Sequence, residues 1–204
     1  MILGVMSVYN EEAFIHEAVM SLLTTTNFVL VLDGATTEYR YRGMSSDNTA
    51  QIVRDIKADG HPVQVVTEAD VDECTKRSAY LVGNPGDWYF VLDGDERVVD
   101  AGKLKLFLQE TDADIVRVKL NRWDGLEYMV PRVFRHYNGI HYGKHHSRID
   151  DKDGNCYLSH NDTDQPWGKV VDYPACRIEH RHHLRDEARK LAKGEYHRKL
   201  QETR

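Results

Sequence analysis

The apolar positions in the first half of the chain fall into two alternating patterns. Ile2 to Val8 is a short, mostly apolar run that predicts a buried strand, and Asn10-Glu11-Glu12 behind it suits a helix N-terminus. Phe14, Ile15, Ala18, Val19, Leu22 and Leu23 then recur at helical spacing. Phe28 to Leu32 predicts a second strand, closed by Asp33-Gly34. Ser45-Ser46-Asp47 offers an N-cap to a second helix with Ala50, Ile52, Val53 and Ile56 on its apolar side. Pro62 to Thr67 reads as a third strand and Asp72 to Val82 as a third helix. Trp88 to Leu92 is a fourth strand that runs into Asp93-Gly94-Asp95-Glu96. Strands alternating with helices predict an α/β fold with an open, mostly parallel sheet flanked by helices. Ligands in such sheets sit at the carboxyl ends of the strands. Asn10, Asp33 and Asp93 all fall at strand ends, so the pattern points to one crevice.

The second half is less regular. Ile115 to Leu120, Tyr128 to Arg135 and Cys156 to Leu158 are short strand candidates, separated by turn signals at Gly125, Asn138-Gly139 and Asp153-Gly154-Asn155. Leu184 to Leu200 predicts an amphipathic helix with Leu184, Ala188, Leu191, Ala192 and Tyr196 on one face. With no internal repeat and no low-complexity linker, residues 1–204 are expected to form a single domain. Residues 1–110 would be its ligand-binding half and 111–204 its less regular half.

Composition narrows the class. Of 204 residues, 41% are apolar and 29% charged, too apolar for a disordered chain, and no stretch is long enough to span a bilayer. The net charge of −6 argues against a general nucleic-acid coat, but it is unevenly spread. Residues 177–204 carry 9 basic and 5 acidic side chains, against 18 and 28 in residues 1–176. Cys74, Cys156 and Cys176 lie far apart with no CxxC pair, which signals neither a zinc ribbon nor a redox dithiol. Scattered thiols and a start with no basic leader lead us to expect a cytoplasmic protein.

The sharpest chemical feature is Asp93-Gly94-Asp95-Glu96. On an extended backbone residues i and i+2 point the same way, so Asp93 and Asp95 are expected to share one cation or one polyol. Hard carboxylate oxygens suit Mg²⁺ or Mn²⁺. A calcium loop fits poorly, because Arg97 and Leu104 stand at its fifth and twelfth ligand positions. Of the eleven histidines most follow residue 135, and alternation places His180 and His182 on one face. A zinc site from His180, His182 and His183 lacks a fourth ligand with recognisable spacing. Trp123, Trp167, Tyr39 and Tyr41 are candidates for stacking on sugar or base rings, with core packing as the competing role for each tryptophan.

These segments resemble a known family. Ser7-Val8-Tyr9-Asn10-Glu11-Glu12 resembles the opening motif of the family 2 glycosyltransferases, enzymes of GT-A (Rossmann-like) fold that use nucleotide-diphosphate sugars and include bacterial and phage members. Asp33-Gly34 followed by Ser45-Ser46-Asp47-Asn48-Thr49 is similar to the second family segment, here split by a Tyr- and Arg-rich insertion at residues 35–44. Lys76-Arg77 sits where the family has an arginine, and Gly86 to Glu96 is similar to its DxD signature. Pro131-Arg132-Val133-Phe134-Arg135-His136 and Gly143-Lys144-His145-His146 resemble the acceptor half of some bacterial members.

The resemblance implies a metal-dependent, inverting hexosyltransferase that uses Mn²⁺ or Mg²⁺ and a nucleotide-diphosphate sugar donor, most often a UDP-sugar. It implies Tyr9 and Glu11 beside the nucleobase, Asp33 accepting a base N–H, Arg77 facing the diphosphate, Asp93 near the ribose or metal, Asp95 as principal metal ligand and His180 as a further ligand. Inversion needs one general base, for which Asp124, Asp162, Asp164 and His146 are the candidates. The acceptor is expected to be a glycan hydroxyl, with a lipid, a protein or a hydroxymethylated base of viral DNA as other classes. The alternatives are a nucleotidylyltransferase, disfavoured by the glycine-free acidic segment after the first strand, and a non-catalytic nucleotide-sugar or nucleic-acid binding module.

Overall fold

The structure is a computed structural model that describes residues 1–38, 42–81, 87–143, 148–159, 166–181 and 184. Its first part alternates as the pattern predicts: β1 (Ile2–Val8), α1 (Ile15–Leu23), β2 (Phe28–Asp33), α2 (Thr49–Ala58), β3 (Val63–Thr67), α3 (Glu73–Ser78) and β4 (Trp88–Val91). There follow β5 (Glu96–Asp100), α4 (Leu104–Glu110), β6 (Ile115–Asn121), β7 (Glu127–Arg135), β8 (His141–Tyr142), β9 (Arg148–Asp150), β10 (Cys156–Ser159) and β11 (Val170–His180). The expected third helix is shorter than its pattern, and the expected helix at 184–200 falls almost entirely outside the described residues.

Eight strands form one sheet in the order β3-β2-β1-β4-β7-β6-β11-β5, and β10-β9-β8 form a second. The first four strands are mutually parallel. Beyond β4 the sheet is mixed, because β7 runs antiparallel to both β4 and β6 while β11 runs parallel to β6 and antiparallel to β5. This is the α/β, GT-A-type architecture expected, less uniformly parallel than the first half alone suggests.

Burial on both faces explains the near-continuous apolar runs of the central strands. Met6, Val8, Val29 and Val31 face α1 and α2, packing on Ile15, Val19, Leu22, Val53 and Ile56. Their neighbours Val5, Leu32, Tyr89 and Val91 face the other way, onto Tyr80, Tyr142, Ile149, Tyr157 and Leu158 around the small sheet. Register decides what meets at the strand ends. Val8 pairs with Asp33 and Asp33 with Thr67, while Val5 pairs with Val91. Continuing the last register sets residue 94 level with Val8. Residues 9–12, 33–34 and 92–96 therefore share one edge.

Candidate active site

Two loops close over the ends of β1 and β2 by side-chain bonds. Asn10 takes a left-handed φ of 52°, and its Oδ1 accepts from the Ser46 N–H at 2.8 Å. The Glu11 N–H donates to Thr49 Oγ1 at 2.6 Å, and Glu12 Oε2 accepts from the Asn48 N–H at 2.8 Å. Two of the segments singled out in the sequence are thus one hydrogen-bonded unit. Asp33 is fully buried, and its carboxylate accepts from the Ser45 hydroxyl and from the Ser45 N–H, the latter at 3.2 Å. Tyr9 is half-buried beside this unit, and Glu11 lies under Gly94, where a Cβ would stand 2.6 Å from Glu11 Cγ.

Lys76 was not singled out by sequence reasoning, which favoured Arg77 beside it. Its ammonium group is buried and donates to the carbonyls of Val8, at 2.8 Å, and Gly34, so it ties the ends of β1 and β2 together. Burial pushes its pKa down to about 8, against the opposing pull of Asp33. Gly34 has φ 144°, and a Cβ there would meet Ala69 Cβ at 2.6 Å, so only glycine fits where the lysine reaches the backbone.

The DxD segment is a turn. β4 ends at Val91, and the Glu96 N–H donates to the Asp93 carbonyl at 3.0 Å. The two aspartates therefore do not share a face as an extended backbone would require. Asp93 is held between two guanidinium groups, accepting from Arg77 Nη2 and Arg132 Nη2 at 3.1 Å each. Arg77 also donates from Nε to Glu73 at 3.0 Å and lies over the Tyr142 ring, and Arg132 donates to Glu96 at 2.6 Å. Burial disfavours charge on both arginines, but Glu73 and Asp93 around Arg77, and Glu96 and Asp93 around Arg132, raise both above the usual value. Burial pushes Glu96 up, with Arg132 opposing it. Arg132 is the second residue that sequence reasoning passed over. Its place in β7 becomes visible only when Phe90 pairs with Val133.

Asp95 is buried and turns to His180, whose Nε2 lies 3.2 Å from Asp95 Oδ2. This contact follows from the sheet order, because the end of β11 returns beside β5 and pairs His180 with Glu96. Among the described residues no group of three or more His, Cys, Asp and Glu side chains is arranged to hold a metal. The donor chemistry of the Asp95–His180 pair nevertheless fits Mn²⁺ or Mg²⁺, which take one or two protein ligands and complete their shell with water and phosphate oxygens. Charge agrees with that fit. The buried or half-buried carboxylates of Glu11, Asp33, Glu73, Asp93, Asp95 and Glu96 outnumber Lys76, Arg77 and Arg132.

Of the base candidates, Asp124 lies among the described residues. Asp124 sits in the turn between β6 and β7, ion-paired with Arg122 at 2.7 Å, and the Leu126 N–H lies 3.3 Å from its Oδ1. His146, Asp162 and Asp164 lie outside the described residues, as do Tyr39, Tyr41, His182 and His183. Trp123 is exposed in the same turn as Asp124.

No family model and no curated protein matches the chain. Among solved structures it is similar to S. aureus TarS residues 1–349, at 20% identity over 61% of this chain and 37% of that one, with a TM-score of 0.47. The UDP-GlcNAc complex of the same TarS fragment gives 21% identity over 61% and 36%, TM-score 0.46. Glucosyl-3-phosphoglycerate synthase from Mycobacterium tuberculosis, in complex with Mn²⁺, UDP and phosphoglyceric acid, gives 18% over 59% and 43%, TM-score 0.40. The chain spans less than half the length of each of these structures. No helix among the described residues is long and apolar enough to cross a membrane.

Proposed function

We propose that the chain is an inverting glycosyltransferase that moves a sugar from a nucleoside-diphosphate sugar, a UDP-sugar, to a glycan hydroxyl. One observation carries this reading. The four sequence segments that resemble family 2 glycosyltransferases, around residues 9–12, 33–34 with 45–49, 76–77 and 93–96, meet at the carboxyl edge of the parallel strands. That edge is where open α/β sheets bind ligands.

In this reading Tyr9, Glu11 and Asp33 border the nucleobase. Asp93, fixed by Arg77 and Arg132, accepts from a ribose hydroxyl, and Arg77 contributes positive charge toward the diphosphate. Asp95 and His180 would hold a divalent cation, which when bound neutralises the leaving nucleoside diphosphate. The acceptor proton goes to a base in the less regular half, for which Asp124, Asp164 and His146 remain the candidates. Residues 1–110 then serve the donor, joined by Arg132 and His180, and the rest of residues 111–204 serve the acceptor within a single domain.

Melting curves with UDP and UDP-sugars, with and without Mn²⁺, test the donor half. Ligand at about 100 times its Kd should stabilise the fold by about 2.7 kcal/mol. Asp95→Asn and His180→Ala should keep the melting temperature of the free protein yet lose the Mn²⁺-dependent part of the shift. No shift with any nucleoside diphosphate would overturn the reading. Transfer assays on neutral glycans and on hydroxymethylated DNA then separate the acceptor classes.

A further inference from the structure

A second site lies on the far edge of the small sheet. Arg148, Asp151, Gly154, Asn155, Cys156 and Trp167 line an open groove of about 710 Å³. Trp167 is 47% exposed, unusual for so large an apolar ring, and it is not loosely held. Its indole rests on Tyr157, with ring centroids 4.7 Å apart, and on Tyr137 at 5.4 Å. Both supports are themselves fixed. The Tyr157 hydroxyl donates to the Arg135 carbonyl at 2.9 Å, and Tyr137 donates to the Asp114 carboxylate. The Trp167 backbone N–H donates to the Cys156 carbonyl at 3.0 Å. Next to it a Cβ at Gly168 would stand 2.7 Å from Ile115 Cδ1, so the chain is close-packed there. The result is a rigid aromatic plane presented to solvent.

The rim supplies planar polar groups. Arg148 lies across the groove with Nη2 3.4 Å from the Gly154 carbonyl, and the Asn155 amide is held against Asp151 by contacts at 3.1 and 3.3 Å. Arg148 is already ion-paired with Asp150 at 2.5 Å, so Asp151 leaves the rim net negative, which disfavours a phosphate and suits an uncharged polyol. An apolar plane flanked by guanidinium, carboxylate and amide edges matches a pyranose ring, whose C–H face stacks while its hydroxyls take the polar rim.

We propose that this groove is a binding subsite for a neutral glycan. Resting on the glycosyltransferase reading above, its occupant is the acceptor chain, gripped away from the reacting end. The small sheet links the two places. β8 at its near edge carries Tyr142 against Arg77, and β10 at its far edge borders the groove. Two strand spacings, about 10 Å, separate those edges. The groove also stands toward the amino ends of the parallel strands, because Gly168 packs on Ile115, which pairs with Phe134 opposite Tyr89, so an occupant that reaches the carboxyl edge must be an extended chain of sugars.

Saturation-transfer NMR with maltohexaose, chitohexaose and a panel of other neutral oligosaccharides tests the proposal on the whole chain. At least one oligosaccharide should bind. Trp167→Ala should weaken it about ten-fold, as expected for one lost stacking partner, and Trp167→Phe, which keeps the packing on Tyr157, should weaken it less. The UDP-induced melting shift should be the same in all three proteins. Absence of signal across the panel would overturn the proposal, as would unchanged affinity in Trp167→Ala, or Trp167-dependent binding of single-stranded DNA in preference to the glycans. Glycan binding that depends on Trp167 without any UDP shift would uphold the subsite and refute the donor reading instead.

Discussion

A lysine with its ammonium group inside a fold is costly to charge, and Lys76 accepts that cost to join the Val8 and Gly34 carbonyls. Its amine lies near 10.5 in the unfolded chain and about 8 in the folded one. Between those values the unfolded chain holds the extra proton, so stability should rise with pH from 8 toward 10.5 as the buried charge is relieved. Urea midpoints of the wild type and Lys76→Met across this range should diverge, with the rise missing in the variant. Parallel curves would mean that Lys76 titrates at its ordinary value. The family resemblance pointed to Arg77 here, because the family has an arginine at this place. Nothing local distinguishes a lysine that faces solvent from one that turns in to cap two strands.

At the scale of elements, α3 is short for what it carries. Its six residues include Glu73, Lys76 and Arg77, all buried, so its position sets two of the three cationic groups at the site. It begins at Asp72, whose carboxylate accepts from the Thr75 N–H at 2.9 Å. Asp72→Ala should lower stability by about 1 kcal/mol in chemical denaturation, the usual value of an N-cap, and should weaken UDP binding in the same preparation. Stability lost without any change in UDP affinity would separate α3 from the site. The strands and helices up to β4 were legible in the sequence because each is announced by its own apolar spacing. β5, α4, β8, β9 and β11 were not: β8 and β9 have two and three residues, and β5 runs Glu96, Arg97, Val98, Val99 and Asp100 without a clear apolar face. The extended reading of Asp93-Gly94-Asp95 failed for a related reason. Apolar run length marks where β4 is buried, yet the chain turns as soon as the run ends, and Gly94 allows Glu11 to pass beneath.

At the scale of the molecule, what the sequence could not reveal was pairing between distant segments. Asp93, Arg132 and His180 are ordinary residues of three separated stretches until the sheet order brings them to one edge. Ile178 tests how far that edge depends on the sheet. It is buried in β11, opposite Val98 of β5 and Leu120 of β6. Ile178→Ala should cost about 2–5 kcal/mol in urea unfolding and should also reduce the Mn²⁺-dependent UDP shift, since His180 lies two residues further along. A destabilised variant with a full Mn²⁺ response would show that the His180 end of β11 is held by other contacts.

The pairing of β11 also sets an order in time. Asp95 and His180 are 85 residues apart in the chain, and the Asp95 carbonyl accepts from the Arg181 N–H at 2.9 Å. A ribosome that has released residues 1–150 has completed the parallel strands and the DxD turn, but β5 still waits for the strand that pairs it. Long-range pairing of this kind is slow to form. The growing chain therefore carries an unpaired strand edge, and carboxylates with no histidine beside them, until synthesis has passed residue 181. Premature termination before that residue should leave a sheet prone to pairing with other chains rather than a smaller folded domain.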